Sequence, residues 1–280
     1  AAELARGGQR AALVDADSHA PSLALALGLA DEGPGFAAAC RQSERGGLDR
    51  AELERISTPV RVAGGTVGVL TGINRPSRWP ELTEARVAAA LDACRDWADH
   101  TVVDVAAALE RDEEIVSDLD GPRRNAATLA ALAAADAVVA VLSADPLGAS
   151  RFVRGHAELR AIVGATPITV LANKLRPGAL GIDPRGQIRQ TLDRFAGVSQ
   201  VSFLPLDPRS ADAAMLSARP VAEVAPRSPF ALAMRRVAED VAAALPRGEP
   251  EASTSAATRR SRRASRADRR SWRRREATVA

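Results

Sequence analysis

Apolar residues cluster in five short runs along this chain, and within each run consecutive positions are mostly aliphatic or β-branched. Such continuous apolar runs are typical of strands that are buried on both faces of a parallel sheet. The predicted strands are residues 11–14, 101–103, 137–142, 168–171 and 201–204.

Amphipathic patterns with helical spacing separate most of these strands. Three apolar stripes indicate helices: Val87, Leu91, Cys94 and Ala98; Ile188, Leu192 and Phe195; and Phe230, Met234, Val237, Val241 and Leu245. Three Asp-Pro pairs mark helix starts, because Asp caps a helix and Pro fits its first turn: Asp145-Pro146, Asp183-Pro184 and Asp207-Pro208. This alternation, with right-handed crossovers, predicts an α/β fold with a doubly wound, mostly parallel sheet and helices on both faces.

The segment between Thr58 and Gly72 has a different pattern, with alternating residues on either side of Gly64-Gly65. The alternation predicts a hairpin, or a short edge strand followed by another strand of the sheet. The glycines also leave open a loop that cradles phosphate, although no lysine follows them.

Composition divides the 280 residues into one large domain over 1–245 and a tail over 246–280. Within the tail, residues 252–280 hold ten arginines against Asp268 and Glu276, a charge of +8, so the other 28 basic and 33 acidic residues of the chain give about −5. The composition of the tail predicts disorder. With no signal-like or membrane-length apolar run, we expect a cytoplasmic protein, in which Cys40 and Cys94 are reduced thiols.

Polar residues follow the predicted strands at the points where the strands end. Because ligands bind beyond the carboxyl ends of parallel strands, these residues are the first candidates for a site: Asp15, Asp17, Asp104, Ser143, Asp145, Asn173, Pro205 and Asp207. Helix capping suffices to explain Asp145 and Asp207. Asp104 is followed by the β-branched Val105, which disfavours a helix start there. Carboxylates in such positions can hold hydrated Mg²⁺ or orient a water molecule.

Together these residues resemble the MinD/ParA group of P-loop ATPases. The resemblance covers roughly residues 1–245 and depends on the order of its motifs: Ala-Leu-Val-Asp-Ala-Asp17 with Pro21-Ser-Leu, Val-Val-Asp104, Asn173, and Phe-Leu-Pro-Leu-Asp207. The segment Pro122–Leu129 is similar to one found in the CpaE-like or TadZ-like branch from high-GC bacteria.

The resemblance implies a role for each candidate residue. Asp17 would be catalytic and orient the attacking water, Asp15 would lie beside the Mg²⁺ shell, and Asp104 would hold Mg²⁺ through water. Asn173 would read the adenine edge, with Pro205 and Leu206 lining the base pocket. The family further implies ATP as cofactor, an ATP-dependent homodimer, and a protein, membrane or DNA partner. Its members position a pilus, septum or chromosome.

The sequence departs from the family at the phosphate-binding loop. Lys174 is the only lysine, so no G-x-x-x-x-G-K-[ST] motif is present in the 280 residues. The family's loop would fall before Ala1, and residues 1–7 read as the end of the helix after it, so we expect a fold that is incomplete at its N-terminus. Truncation and true degeneracy both explain this; a start inside a helix without methionine favours truncation. Without the loop the phosphates lack counter-charge, and we expect no tight ATP binding.

A second hypothesis is a nucleotide-independent adaptor. The stretch from Arg259 to Arg275, which contains Trp272, could contact nucleic acid or an anionic membrane, giving peripheral association with membrane or nucleoid. A solubilising tail is the alternative. Arg123 and Arg124 are equally compatible with a contact to phosphate or to a partner subunit and with exposed positions at a helix start.

Overall fold

Seven strands alternate with helices in the computed structural model, which describes residues 1–30, 33, 35–111, 123–178 and 181–245. The strands are β1 (Ala11–Asp15), β2 (Thr58–Val62), β3 (Gly65–Leu70), β4 (His100–Asp104), β5 (Val138–Ser143), β6 (Ile168–Leu175) and β7 (Ser202–Pro205). All five strands predicted from apolar runs are present. The predicted α/β class is therefore confirmed, while residues 246–280, with the predicted disordered tail, lie outside the described residues.

Eleven α-helices are found in these ranges, together with a 3-10 helix over Pro76–Glu81. They are α1 (Ala2–Ala5), α2 (Leu23–Ala26), α3 (Gly35–Glu44), α4 (Arg50–Ile56), α5 (Glu84–Trp97), α6 (Ala126–Ala134), α7 (Pro146–Val163), α8 (Pro184–Ala196), α9 (Pro208–Ser217), α10 (Val221–Val224) and α11 (Pro229–Ala244). No described helix is both long enough and apolar enough to cross a membrane.

The first sheet has the strand order β2-β3-β1-β4. β1 pairs in parallel with β3 and β4, and β2 is an antiparallel edge strand joined to β3 by a hairpin. The alternative of a phosphate-cradling loop at Gly64-Gly65 is wrong, because this turn lies at the amino end of β3, opposite the edge where Asp15 ends β1. Gly64 has φ +99°, and a Cβ there would lie 2.7 Å from the Arg6 Cα, so glycine is needed for the turn.

The second sheet contains three parallel strands in the order β5-β6-β7. No ladder joins it to the first sheet among the described residues, so β4 and β5 each have one edge without a strand partner. The prediction of one doubly wound, mostly parallel sheet is therefore refined to two sheets, the first parallel except for its edge strand β2 and the second parallel throughout. One face of β5 is also poorly covered, since Val139 and Val141 are 41% and 59% exposed.

Helices cover both faces of the first sheet. Ala12 and Val14 of β1 point into the largest core cluster, which includes Phe36, Leu53 and Val87 from α3, α4 and α5. Ala11 and Leu13 alternate to the other face, where α1 and the residues after α2 pack. Side chains of β1 point alternately to the two faces of the sheet, and helices cover both faces, so both sets of side chains can be apolar.

The second sheet is also sandwiched between helices. α7 and α8 pack on one face, where Ile188 and Leu192 contact residues of β5 and β6. α11 covers the other face, with Val237 packed against Leu171 and Leu204. A smaller cluster of α6, β5 and α7 side chains, which includes Leu132, continues the apolar interior.

Most of the helical predictions agree with the structure. Each Asp-Pro pair begins a helix, and the Asp side chain accepts a hydrogen bond from a backbone N–H in the first turn. Three details of the stripes were wrong, the first being that α5 ends at Trp97, one residue before Ala98. Phe195 is 62% exposed although its spacing from Ile188 and Leu192 predicted burial, and α11 ends one residue before Leu245.

Candidate functional site

Asp15 is a buried carboxylate that organises the loop following β1. It is 1% exposed, and its oxygens accept hydrogen bonds from the backbone N–H groups of Asp17 (3.2 Å), Ser22 (2.9 Å) and Leu23 (3.0 Å). Burial raises the pKa of Asp15, and these three N–H donors act in the opposite direction. Because both oxygens are already bonded, Asp15 acts through the position of the loop.

Asp17 closes a tight turn in the same loop. Its Oδ1 accepts hydrogen bonds from the backbone N–H groups of His19 (2.7 Å) and Ala20 (3.0 Å), the pattern of an Asx turn. The turn holds Asp17 next to Asp15, two residues away.

Asp104 ends β4 and is the register partner of Asp15 across the parallel ladder. Desolvation raises the pKa of the exposed Asp104 carboxyl, and the charges of Asp15 and Asp17 raise it further. Three carboxylates therefore share this edge, and a cation would relieve the repulsion that Asp15 and Asp17 exert on Asp104. The described residues contain no cluster of three or more His, Cys, Asp or Glu side chains placed to bind a metal directly.

A hydrogen-bonded link, not anticipated from the sequence, joins this loop to the segment that follows β4. Ser18 Oγ donates to the backbone carbonyl of Arg124 (2.7 Å), and His19 Nε2 lies 2.8 Å from Asn125 Oδ1. The Asn125 amide in turn donates to the carbonyl of Glu110 (2.8 Å). In the sequence, an Asn directly before the Ala-rich α6 is typical of a helix cap. In the structure, the Asn125 side chain bonds to the neighbouring loops instead. The proposed contacts of Arg123 and Arg124 stay predictions.

Gly72, just after β3, allows the close approach of the Asp15 loop. A Cβ at this position would lie 2.6 Å from the Pro21 Cβ and 2.8 Å from the Asp15 carboxyl carbon. No real side chain fits at such distances without moving one of its neighbours. Sequence reasoning missed this glycine because the chain folds Pro21 against it from a distant segment.

Asn173 lies at the corresponding end of β6 in the second sheet, in register with Ser143 of β5. Its Oδ1 accepts a hydrogen bond from the N–H of Lys174 (2.7 Å), a residue in the left-handed region at φ 62°. The ladder with β7 shifts here and resumes at Leu175, which is in register with Pro205. The N–H of Leu206 then donates to the Leu175 carbonyl (2.8 Å), so Asn173, Pro205 and Leu206 are close neighbours.

The candidate residues therefore form two groups, each at the carboxyl ends of its own sheet. Asp15, Asp17 and Asp104 form the first, and Asn173, Pro205 and Leu206 form the second. Asp145 and Asp207 act as helix caps, as the capping interpretation predicted. In the first group the carboxylates suit a hydrated cation, and in the second an amide and partly exposed apolar side chains suit a planar ring.

Comparison with known proteins identifies the fold of this chain but does not assign the chain to a family. No protein-family model matches the chain, and no curated protein matches it. Among solved structures, it is similar to a ParA family ATPase from Chlorobium tepidum (TM-score 0.66, 15% identity, 85% of this chain and 88% of that one). It is also similar to the septum site-determining protein MinD of Pyrococcus horikoshii complexed with Mg-ADP (0.63, 16%, 86% and 88%). A third match is the MinC:MinD complex of Aquifex aeolicus (0.62, 16%, 89% and 88%). The chain thus has the fold of ParA- and MinD-type ATPases.

Proposed function

We propose that this protein is a spatial regulator of the ParA/MinD type, which positions a pilus, septum or chromosome. The observation that carries the proposal is the shared edge of Asp15, Asp17 and Asp104 in a chain with this fold. The sequence motifs favour the CpaE-like or TadZ-like branch. In this role nucleotide hydrolysis would act as a timer of assembly.

The proposed site uses both groups of residues for Mg-ATP. Asp104 would hold Mg²⁺ through water, because it carries exposed charge that its neighbours destabilise. Asp17 would orient the attacking water, while Asp15 fixes the loop on which Asp17 lies. Asn173 would bind the adenine edge, and the half-exposed Leu206 with Pro205 would contact the face of the base.

The triphosphate fits this chain less well than the metal does. A phosphate-binding loop supplies a row of backbone N–H groups and a lysine, and the 280 residues contain no such motif. The neighbouring carboxylates would repel the β- and γ-phosphates in the absence of that counter-charge. We therefore propose that this chain, by itself, does not hold ATP tightly.

The similar structures also bear on the partners of this protein. One of the similar structures is a complex of MinC with MinD, which supports a protein partner for this chain as well. We propose an ATP-dependent homodimer that binds such a partner in the cytoplasm, with peripheral contact to a membrane or to the nucleoid.

A second candidate is a nucleotide-independent adaptor, favoured by the absence of the loop motif and by the charge of the tail. The segment from Arg259 to Arg275 would then contact nucleic acid or anionic lipid without sequence specificity, in a salt-dependent manner.

Calorimetry with Mg-ATP separates the two candidates. The chain itself is compared with a version in which a strand and a Gly-Gly-x-Gly-Lys-Thr loop are fused ahead of Ala1, each with and without Asp104→Asn. The regulator predicts saturable binding by the fused form only, and weaker binding after Asp104→Asn. The adaptor predicts no nucleotide binding by either form, but binding of duplex DNA or anionic vesicles that is lost when residues 246–280 are removed.

A further inference from the structure

A groove of about 360 Å³ runs between α7 and α8, on the outer surface of the second sheet. Its floor and walls are mostly apolar, and its lining side chains include Ala149, Val153, Ile188, Thr191 and Phe195. On each helix the lining residues recur three or four positions apart, so each helix presents one continuous stripe to the groove. The α7 stripe extends over about two turns, or roughly 12 Å.

Among the residues that line the groove, Phe195 most strongly favours a bound partner. Its ring is 62% exposed although Ile188, two turns earlier on the same stripe, is buried. A large aromatic side chain left open to water beside an apolar groove is typical of an interaction surface, because its burial stabilises a complex strongly. The stripe predicts burial of Phe195, and a bound partner would provide it.

The rim of the groove is positively charged. Arg154 lines the groove, and its Nε lies 3.4 Å from the Ser150 carbonyl. The Arg194 guanidinium lies 5.3 Å from the centroid of the Phe195 ring. Neither arginine forms an ion pair with a carboxylate in the part of the chain that the structure describes.

The two helices are basic in an otherwise acidic body. They carry six arginines and two acidic residues: Arg151, Arg154, Arg160, Arg185, Arg189 and Arg194, with Glu158 and Asp193. The groove therefore favours a ligand with an apolar centre and negative flanks, since opposite charges at the rim of an interface speed and orient association.

We propose that the groove between α7 and α8 binds an amphipathic helix with acidic flanks, supplied by a partner protein. About two turns of that helix place apolar side chains, spaced three or four residues apart, against Val153, Ile188 and Phe195. Carboxylates on either side of this apolar face pair with Arg154 and Arg194.

Charge separates this occupant from the chain's own tail. Residues 252–280 have a charge of +8, so the tail and the rim of the groove would repel each other. A second copy of the chain would be a different occupant, and a dimer that is seen in sedimentation and lost in Phe195→Ser would identify it.

The groove begins where the second sheet presents its carboxyl ends. Pro146 and Gln187 line it within the first turns of α7 and α8, directly after the loops that follow β5 and β6. A helix bound there lies beside the strand ends that carry Asn173. The test of this docking site requires no nucleotide.

The test measures fluorescence anisotropy of a labelled, stapled helix of about three turns with leucines on one face and glutamates on both flanks. A matched peptide carries lysines in place of the glutamates. The glutamate peptide should bind the full chain at least about tenfold more tightly than the lysine peptide, and Arg154→Glu with Arg194→Glu should reverse this order.

Phe195→Ser should weaken the glutamate peptide about tenfold or more, as expected for an aromatic anchor. Leu216→Ser is the matched control, because Leu216 is a 90% exposed apolar residue on α9, and this variant should bind as the wild type does. Equal binding of the two peptides, or full binding by Phe195→Ser, would overturn the proposal. Sedimentation showing a dimer that Phe195→Ser abolishes would overturn it in favour of a second copy.

Discussion

Asp15 and Asp104 are direct register partners across the parallel ladder of β1 and β4, each at the last position of its strand. The ladder continues past them, since the N–H of Ala16 donates to the Asp104 carbonyl (2.8 Å). Two carboxylates are thus fixed side by side by backbone hydrogen bonds. Repulsion between the two carboxylates lowers the stability of the fold. A site that binds a cation would keep both carboxylates for function in spite of this cost.

Asp104→Asn should stabilise the protein at neutral pH. The change removes one negative charge that Asp15 and Asp17 destabilise, and because Asp104 is exposed and screened we expect a gain of only about 0.5 kcal/mol. Chemical denaturation at pH 7 measures it. A loss of stability would contradict the repulsion that we infer between these carboxylates.

The pH dependence follows from the raised pKa values of Asp15 and Asp104. A raised folded-state pKa contributes stability that is present below the unfolded pKa and is lost as pH rises through the folded one. The advantage of Asp104→Asn should therefore appear as pH rises above about 4 and vanish below it. Adding Mg²⁺ should raise the melting temperature of the wild type more than that of Asp104→Asn.

Gly72→Ala should destabilise the loop that carries Asp15 and Asp17. The new Cβ would meet Pro21 and the Asp15 carboxyl at less than 3 Å, and we expect a loss of about 1–3 kcal/mol. Gly155→Ala is the control, because Gly155 lies inside α7 and a Cβ there would meet no atom within 4 Å. That change should stabilise the protein by about 0.5–1 kcal/mol. Equal effects of the two substitutions would contradict the close packing around Gly72.

Cys40 and Cys94 should be unreactive in the folded protein. Both are fully buried in the largest core cluster, and desolvation raises the pKa of each thiol to about 12. Because the thiolate is the reactive form, an aromatic disulfide reagent should modify them only at the rate of unfolding. Modification that is fast and independent of denaturant would show that one of these helices opens locally.

Asp145→Ala should weaken the start of α7. The Asp145 carboxylate accepts a hydrogen bond from the N–H of Gly148 (2.8 Å), and loss of such a cap costs about 1 kcal/mol. Bonds from Ser143 and Gly148 lower the pKa of Asp145, so its contribution is present above the unfolded pKa and disappears as pH falls through the folded one. Denaturation curves should show a smaller difference from wild type at pH 3 than at pH 7.

Local rules account for what the sequence predicted correctly. Asp145-Pro146 and its two counterparts specify helix starts through bonds that span only three residues. The apolar runs specify buried strands in the same way. Asp15, Asp17 and Asp104 could be assigned to one edge because strand ends in a parallel sheet lie together.

Contacts between distant segments account for what the sequence did not predict. The bond between His19 and Asn125 joins residues 106 positions apart, and the pairing of strands into two sheets depends on similarly distant partners. Phe195 follows the helical period into the predicted core but lies at the open groove, because α7 does not cover the end of that stripe.

The proposed Mg-ATP site requires both groups of candidate residues to lie at one edge of the molecule, although they belong to different sheets. Electron–electron distance measurements between nitroxide labels test it most directly, since the buried native thiols should stay unlabelled. In the first variant, labels at Ala20→Cys and Lys174→Cys give the distance between the two carboxyl-end groups. In the second, labels at Gln9→Cys and Lys174→Cys give the distance from the amino end of β1 to the same position on β6. The account predicts a shorter distance for the Ala20–Lys174 pair. A shorter distance for the Gln9–Lys174 pair would place the groups at opposite edges and contradict it.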